Sequence, residues 1–140
     1  MLDNEKPRLG QGNVTVTIDG EEYVLKPSIS AITTLSRKYG GLNVVVERVA
    51  KLDFETILDV LEAGIGRTSS NPRQRQQFAE AVFHTGLTDD TGGLGLLCVR
   101  YVIILMRGGR PLTPEEEAAY TNEAASGATP EGNPMSSSGS

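Results

Sequence analysis

The sequence predicts an α+β protein, an N-terminal β-hairpin followed by a mainly α-helical domain of about five helices. Three observations predict it. An alternating apolar and polar stretch near the N-terminus folds back on itself through an Asp-Gly pair. Beyond it, apolar residues recur at spacings of three and four as far as Met106. Between those runs stand glycines and Asn-Pro or Thr-Pro pairs, the punctuation of helix ends and starts.

Residues 1–12 hold charge, Pro7 and two glycines and read as a flexible leader. The hairpin plus helical domain then spans 13–112. In Val14-Thr15-Val16-Thr17-Ile18, apolar and polar residues alternate; Asp19-Gly20 tolerates the positive φ angles of a type I′ turn; Glu21 to Leu25 returns. This register pairs Val16 with Tyr23 and Val14 with Leu25 on one face, which Ile18 shares, and places Thr15, Thr17 and Glu22 on the other. An isolated hairpin is marginal in water, so the apolar face must cover other elements.

Ser28 is the expected cap of the first helix, with Ile29, Ile32, Leu35 and Tyr39 as its stripe and Gly40-Gly41 as its stop. Asn43 is the expected cap of a second, carrying Val44, Val45, Val46, Val49 and Leu52. Asp53 opens a third, in which Phe54, Ile57, Leu58, Leu61 and Ile65 form the inner stripe, Asp59 and Glu62 lie off it, and Gly64 and Gly66 end the run. After a polar loop at 67–71, Asn71-Pro72 starts a fourth helix with Phe78, Ala79, Val82 and Phe83 inward and Gly86 as terminator. Leu94 to Arg107 is the most hydrophobic segment. Its leucines and length favour a helix over a strand, with Leu94, Leu97, Tyr101, Ile104 and Leu105 on one face and Val99, Val102, Ile103 and Met106 on most of the other. A helix that is apolar nearly all round is either central to its domain or covered by a partner. Thr113-Pro114-Glu115-Glu116 begins a short polar helix over 113–124, and the Ser/Gly/Pro-rich residues 125–140 read as a disordered tail.

Composition narrows the function classes. A net charge of −5 argues against general nucleic-acid or anionic-membrane binding, which needs clustered positive charge. Aromatic residues make up 5% of the chain and Trp is absent, so a stacking platform for single strands is not expected. The longest apolar run, Tyr101 to Met106, falls far short of the ~20 residues that span a bilayer. The polar Met1 to Gly10 stretch has no signal-peptide core, and the single cysteine, Cys98, fits a reducing compartment, so a cytoplasmic protein is expected. One histidine, His84, and one cysteine do not furnish a zinc set or a triad; His84 reads as a helix-end residue and Cys98 as an inert buried thiol. Gly92-Gly93-Leu94-Gly95 follows a helix and lacks a Gly-Lys-Ser/Thr sequence, so helix punctuation explains it better than a phosphate loop. Arg73 and Arg75, among glutamines, read as a solvated face. No enzyme activity and no cofactor are expected on this basis.

The order of features resembles one family. The hairpin Val14 to Leu25, with Lys26-Pro27-Ser28, runs into a helix containing Ala31-Ile32-Thr33-Thr34-Leu35. Tyr39-Gly40-Gly41-Leu42, a short apolar helix and the segment Ile57 to Gly66 follow, and a hydrophobic helix closes on Leu105-Met106-Arg107-Gly108-Gly109. Over about Asn13 to Pro111 this is similar to the small tail assembly chaperones of gene transfer agents and related long-tailed phages. The resemblance implies a host-cytoplasmic protein that binds the tape measure protein and keeps it soluble until tail-tube subunits polymerise around it. The tail-tube protein and self-association are further candidate partners, and no catalytic residues come with the family. Tape measure segments are long amphipathic helices, which a helical chaperone could receive in a groove. Val99, Val102, Ile103 and Met106 are the candidate partner-binding residues; burial of the same residues in the protein's own core is the competing reading. A structural virion component, as a tail completion or connector protein, and a small nucleic-acid-binding adaptor using Arg73 and Arg75 are the alternative functions.

Overall fold

The computed structural model describes residues 12–67, 71–116 and 118. The leader up to Gln11, residues 68–70, most of the expected polar helix at 113–124 and the tail from 125 lie outside the described residues. The architecture is α+β: a two-stranded antiparallel hairpin, β1 (Val14–Ile18) and β2 (Glu21–Leu25), then α1 (Ile29–Tyr39), α2 (Leu42–Ala50), α3 (Phe54–Ile65), α4 (Pro72–Thr85) and α5 (Gly93–Met106).

The hairpin has the register its sequence predicts. Val14 pairs with Leu25 and Val16 with Tyr23. Asp19 and Gly20 sit at φ 53° and 83°, as a two-residue turn matched to the strand twist requires. Val14, Val16, Ile18 and Leu25 are buried while Thr15 and Thr17 are exposed. Gly12, assigned by the sequence to the leader, is instead buried. Its N–H donates to the carbonyl of Gly109 at 2.6 Å, and a Cβ there would lie 2.8 Å from Pro111 Cα and 2.9 Å from Ile104 Cγ2.

Ser28 caps α1, its Oγ accepting from the Ala31 N–H at 3.0 Å. The inner face of α1 is rotated from the expected stripe. Ala31 and Leu35 are buried, Ile32 and Tyr39 pack at the margin, and Ile29, in the first turn, projects beyond the core at 83% exposure. α2 starts at Leu42 behind Gly41 rather than behind an Asn43 cap. Two successive glycines with positive φ, Gly40 and Gly41, reverse the chain and leave Asn43 already inside the helix. Leu52 lies beyond the helix end, also at positive φ and partly exposed.

α3 and α5 are the two inner helices. α3 buries Thr56, Ile57, Leu58, Val60, Leu61, Glu62 and Gly64, and of its residues only Glu55, in the first turn, is exposed. Gly64 lies within α3 rather than ending it, and β2 packs directly against it. A Cβ on Gly64 would stand 2.8 Å from Leu25 Cβ, and the Gly64 carbonyl accepts from the Lys26 N–H at 2.9 Å. α5 buries Leu94, Gly95, Cys98, Tyr101, Val102, Ile104 and Leu105 and packs against α2, α3 and β1. The Tyr101 hydroxyl donates to the Lys26 carbonyl at 2.7 Å, which ties α5 to the end of the hairpin. In α4, capped by Asn71 with Pro72 behind it, only Phe78 and Val82 are buried. Phe83, expected inward, is 70% exposed, because one step past Val82 turns it about 100° off the inner line. After α5, Thr113 and Glu116 cap each other reciprocally, the Glu116 N–H donating to Thr113 Oγ1 at 3.1 Å and the Thr113 N–H to Glu116 Oε1 at 2.9 Å.

The hairpin's two faces should respond oppositely to charge. Val16→Asp buries an unpaired carboxylate and should abolish cooperative folding. Thr17→Asp adds only an exposed charge opposite Glu22 and should cost less than about 1 kcal/mol. Thermal melts followed by circular dichroism distinguish the two; equal tolerance would show that this face is not part of the core.

Candidate interaction surface

The four partner-binding candidates on α5 do not share one surface. Val102 is fully buried. Cys98, Tyr101, Val102 and Leu105 follow one another by three, one and three residues, so Val102 lies on the innermost line of the helix, and its expected place on an outer surface is corrected. Val99, Ile103 and Met106, spaced by four and three, run along the outer line: the first two half-buried, Met106 exposed. α2 lies beside this line. Ile103 and Met106 join Val46 and Asn43 of α2, with Arg107, around a shallow depression of about 370 Å³; Val99 is not part of its lining. Arg107 is held at the rim by Glu116, Nη1 to Oε2 at 2.6 Å. Asn43, Val46 and Arg107 escaped sequence reasoning because the side-by-side packing of α2 and α5 is a tertiary fact. The only local hint was a valine-rich segment poorly suited to an isolated helix.

The main polar cluster lies elsewhere. Glu55, Asp59 and Glu62 form one row along α3, and Arg75 of α4 reaches across it. Its Nη2 lies 3.0 Å from Glu55 Oε1 and 3.1 Å from Asp59 Oδ1, and its Nη1 pairs closely with Glu62. Lys38 Nζ approaches Asp59 Oδ2 at 2.8 Å, and the Tyr39 hydroxyl donates to the same oxygen at 2.5 Å. Arg75 is therefore not on the solvated face that the sequence suggested, and Asp59 and Glu62 are covered; Arg73 stays exposed. Burial alone would raise the pKa of Asp59, but hydrogen bonds from Lys38 and Tyr39, with Arg75 beside them, outweigh it and hold the carboxyl below its ordinary range. The Tyr39 phenol is pushed up to about 12, first by burial and then by Asp59. Each acid in the row thus has a cationic partner and the phenol keeps its proton at neutral pH, an arrangement that fastens helices together.

A second depression, of about 330 Å³, lies between Tyr23, Arg67, Gln74, Gln77, Phe78 and Ala81. There the Arg67 guanidinium sits over the rings of Phe78 and Tyr23, 5.0 and 5.9 Å from their centroids. His84 is exposed in the last turn of α4, its ring edge-on to Phe83. Cys98 is fully enclosed, and burial drives its thiol far above the ordinary range, so thiolate chemistry is suppressed. Among the described residues, no group of three or more His, Cys, Asp and Glu side chains could hold a metal ion, and no helix is long and apolar enough to cross a membrane. Comparison of the chain with family models, with curated proteins and with solved structures found no match.

The Asp59 cluster carries a pH signature. A carboxyl whose folded pKa lies below its unfolded value, about 3.9, stabilises the fold above that value; the contribution fades as pH falls through the folded pKa. Asp59→Asn should cost about 1–3 kcal/mol at pH 7 and should narrow the stability gap between pH 7 and pH 3. Urea midpoints of both proteins at the two pH values measure this, and an unchanged gap would remove Asp59 from the acid response.

Proposed function

We propose that this chain is a tail assembly chaperone of a phage-type particle, which acts in the host cytoplasm by binding the tape measure protein and keeping it soluble, through apolar contact and without catalysis. The observation that supports this most is the depression between α2 and α5. A helix otherwise committed to the core leaves Ile103 and Met106 at the surface beside Val46, with Asn43 and Arg107 at the rim. An apolar floor with a polar rim suits the anchor residues of an amphipathic helix laid into a groove. The resemblance of the hairpin and helix order to tail assembly chaperones supplies the partner's identity; the surface supplies the mode of contact.

Co-expression tests the reading. The wild-type chain should raise the soluble fraction of the tape measure protein and co-purify with it. Met106→Lys sets a charge on the exposed end of the strip and should reduce co-purification about ten-fold or more while leaving the circular dichroism spectrum unchanged. Absence of both solubilisation and co-purification with the wild-type chain would refute the chaperone role, and presence of the chain in purified particles would then favour a virion component.

A further inference from the structure

The chain reverses after α5. Gly108 and Gly109, at φ 75° and 85°, turn it. Gly109 and Leu112 are buried, and Pro114 to Glu116 and Ala118 are already helical again. A connection this short makes successive helices antiparallel neighbours. Glu116 fastens the new helix at its start with both carboxylate oxygens: Oε1 accepts from the Thr113 N–H at 2.9 Å, and Oε2 holds Arg107 Nη1 at 2.6 Å. Glu115 and Ala118 lie off the Glu116 line and are exposed, while Glu116 and Arg107 are half-buried. The Glu116 line is therefore the side of this helix that faces α5.

The sequence beyond Glu116 matches α5 along that line. Four and then seven residues before Arg107 stand Ile103 and Arg100; four and then seven after Glu116 stand Tyr120 and Glu123. One step further on, Val99 and Ala124 correspond in the same way. Positions at these intervals share one face of a helix. In an antiparallel pair, the register fixed by Arg107 and Glu116 thus sets a carboxylate against a guanidinium a second time, at Glu123 and Arg100. It also sets Tyr120 against Ile103 and Ala124 against Val99. Arg100, Ile103 and Val99 are each half-buried on α5. Gly127 follows Glu123 by one turn, a residue suited to ending a helix there.

We propose that residues 117–124 dock antiparallel on this line of α5, Tyr120 on Ile103 and Glu123 on Arg100, as a built-in cover of the α2–α5 depression. Charge complementarity at two points, two helical turns apart, selects this segment as the occupant. Its tether adds an effective concentration in the millimolar range for a short connection. Ile103 and Arg107 are two of the five residues that line the depression, so a helix entering it must displace the cover. That competition rests on the chaperone reading; the docking does not.

Hydrogen exchange on the full chain tests the docking. The amides of residues 119–124 should exchange about ten-fold or more slowly than those of a synthetic peptide of residues 113–127. Glu123→Arg, which brings two guanidinium groups together, should remove most of that protection and leave exchange of α3 and α5 unchanged. Adding Arg100→Glu should restore it. Exchange of 119–124 at the peptide's rate in the wild-type chain would overturn the proposal. Protection that survives both Glu123→Arg and Tyr120→Asp would overturn it too, whether or not Arg100→Glu folds. Protection that grows with protein concentration would overturn it in favour of a second copy as the occupant. No tape measure protein enters this experiment, so its outcome is separate from that of the capture assay.

Discussion

The junction of β2 with α3 is the constraint on which the rest of the structure depends. A two-stranded hairpin cannot stand alone in water, so its apolar face must be held against a helix at close range. Gly64 makes that range possible: with no Cβ, the backbone of α3 approaches Leu25 to a distance that any side chain would forbid. Two hydrogen bonds then fix the position, from the Lys26 N–H to the Gly64 carbonyl and from the Tyr101 hydroxyl to the Lys26 carbonyl. Lys26 is thus held by its N–H to α3 and by its carbonyl to α5. Hairpin, α3 and α5 become one unit, and α1 and α2 complete the layer around it.

Once α3 is enclosed, Asp59 and Glu62 lose most of their water and must find partners, while Glu55 stays exposed at the edge of the row. Arg75, Lys38 and the Tyr39 hydroxyl supply them, which is why α1 and α4 meet α3 through charge as well as through apolar contact. Enclosing α5 has the opposite consequence. That helix has more apolar positions than its inner faces can cover, and the surplus emerges as Ile103 and Met106 beside Val46. The proposed capture of a helical partner rests on this surplus, and its chemistry is burial of apolar area, which salt screens little.

The hairpin was legible in the sequence down to its register, because period-two alternation around Asp-Gly admits one pairing. The helices were legible in number and nearly in extent, because Ser28, Asn71-Pro72 and the glycines act locally on the backbone. Faces were harder. Ile29 and Phe83 fit a stripe by spacing yet point to solvent, since spacing defines a line on a helix but not which neighbours exist to cover it. Asp59 and Glu62 could be placed only as lying off the inner stripe, because nothing local announces that Arg75, more than a dozen residues on, will fold over them. Val102 was placed outward for a related reason. On a helix apolar all round, periodicity carries no direction, and only packing against α2, α3 and β1 determines which line is innermost.

The claim that hairpin and helices are joined at the Gly64 contact is tested most directly by the stability of Gly64→Ala in urea. Helix propensity alone predicts a gain of about 1 kcal/mol for alanine inside a helix. The contact predicts the reverse, because the new methyl meets Leu25 on the inner side of a packed junction, with a loss of about 1–3 kcal/mol and a lower unfolding midpoint. A midpoint raised by the full propensity gain would contradict the account, since it would mean that β2 does not press on α3 at this point.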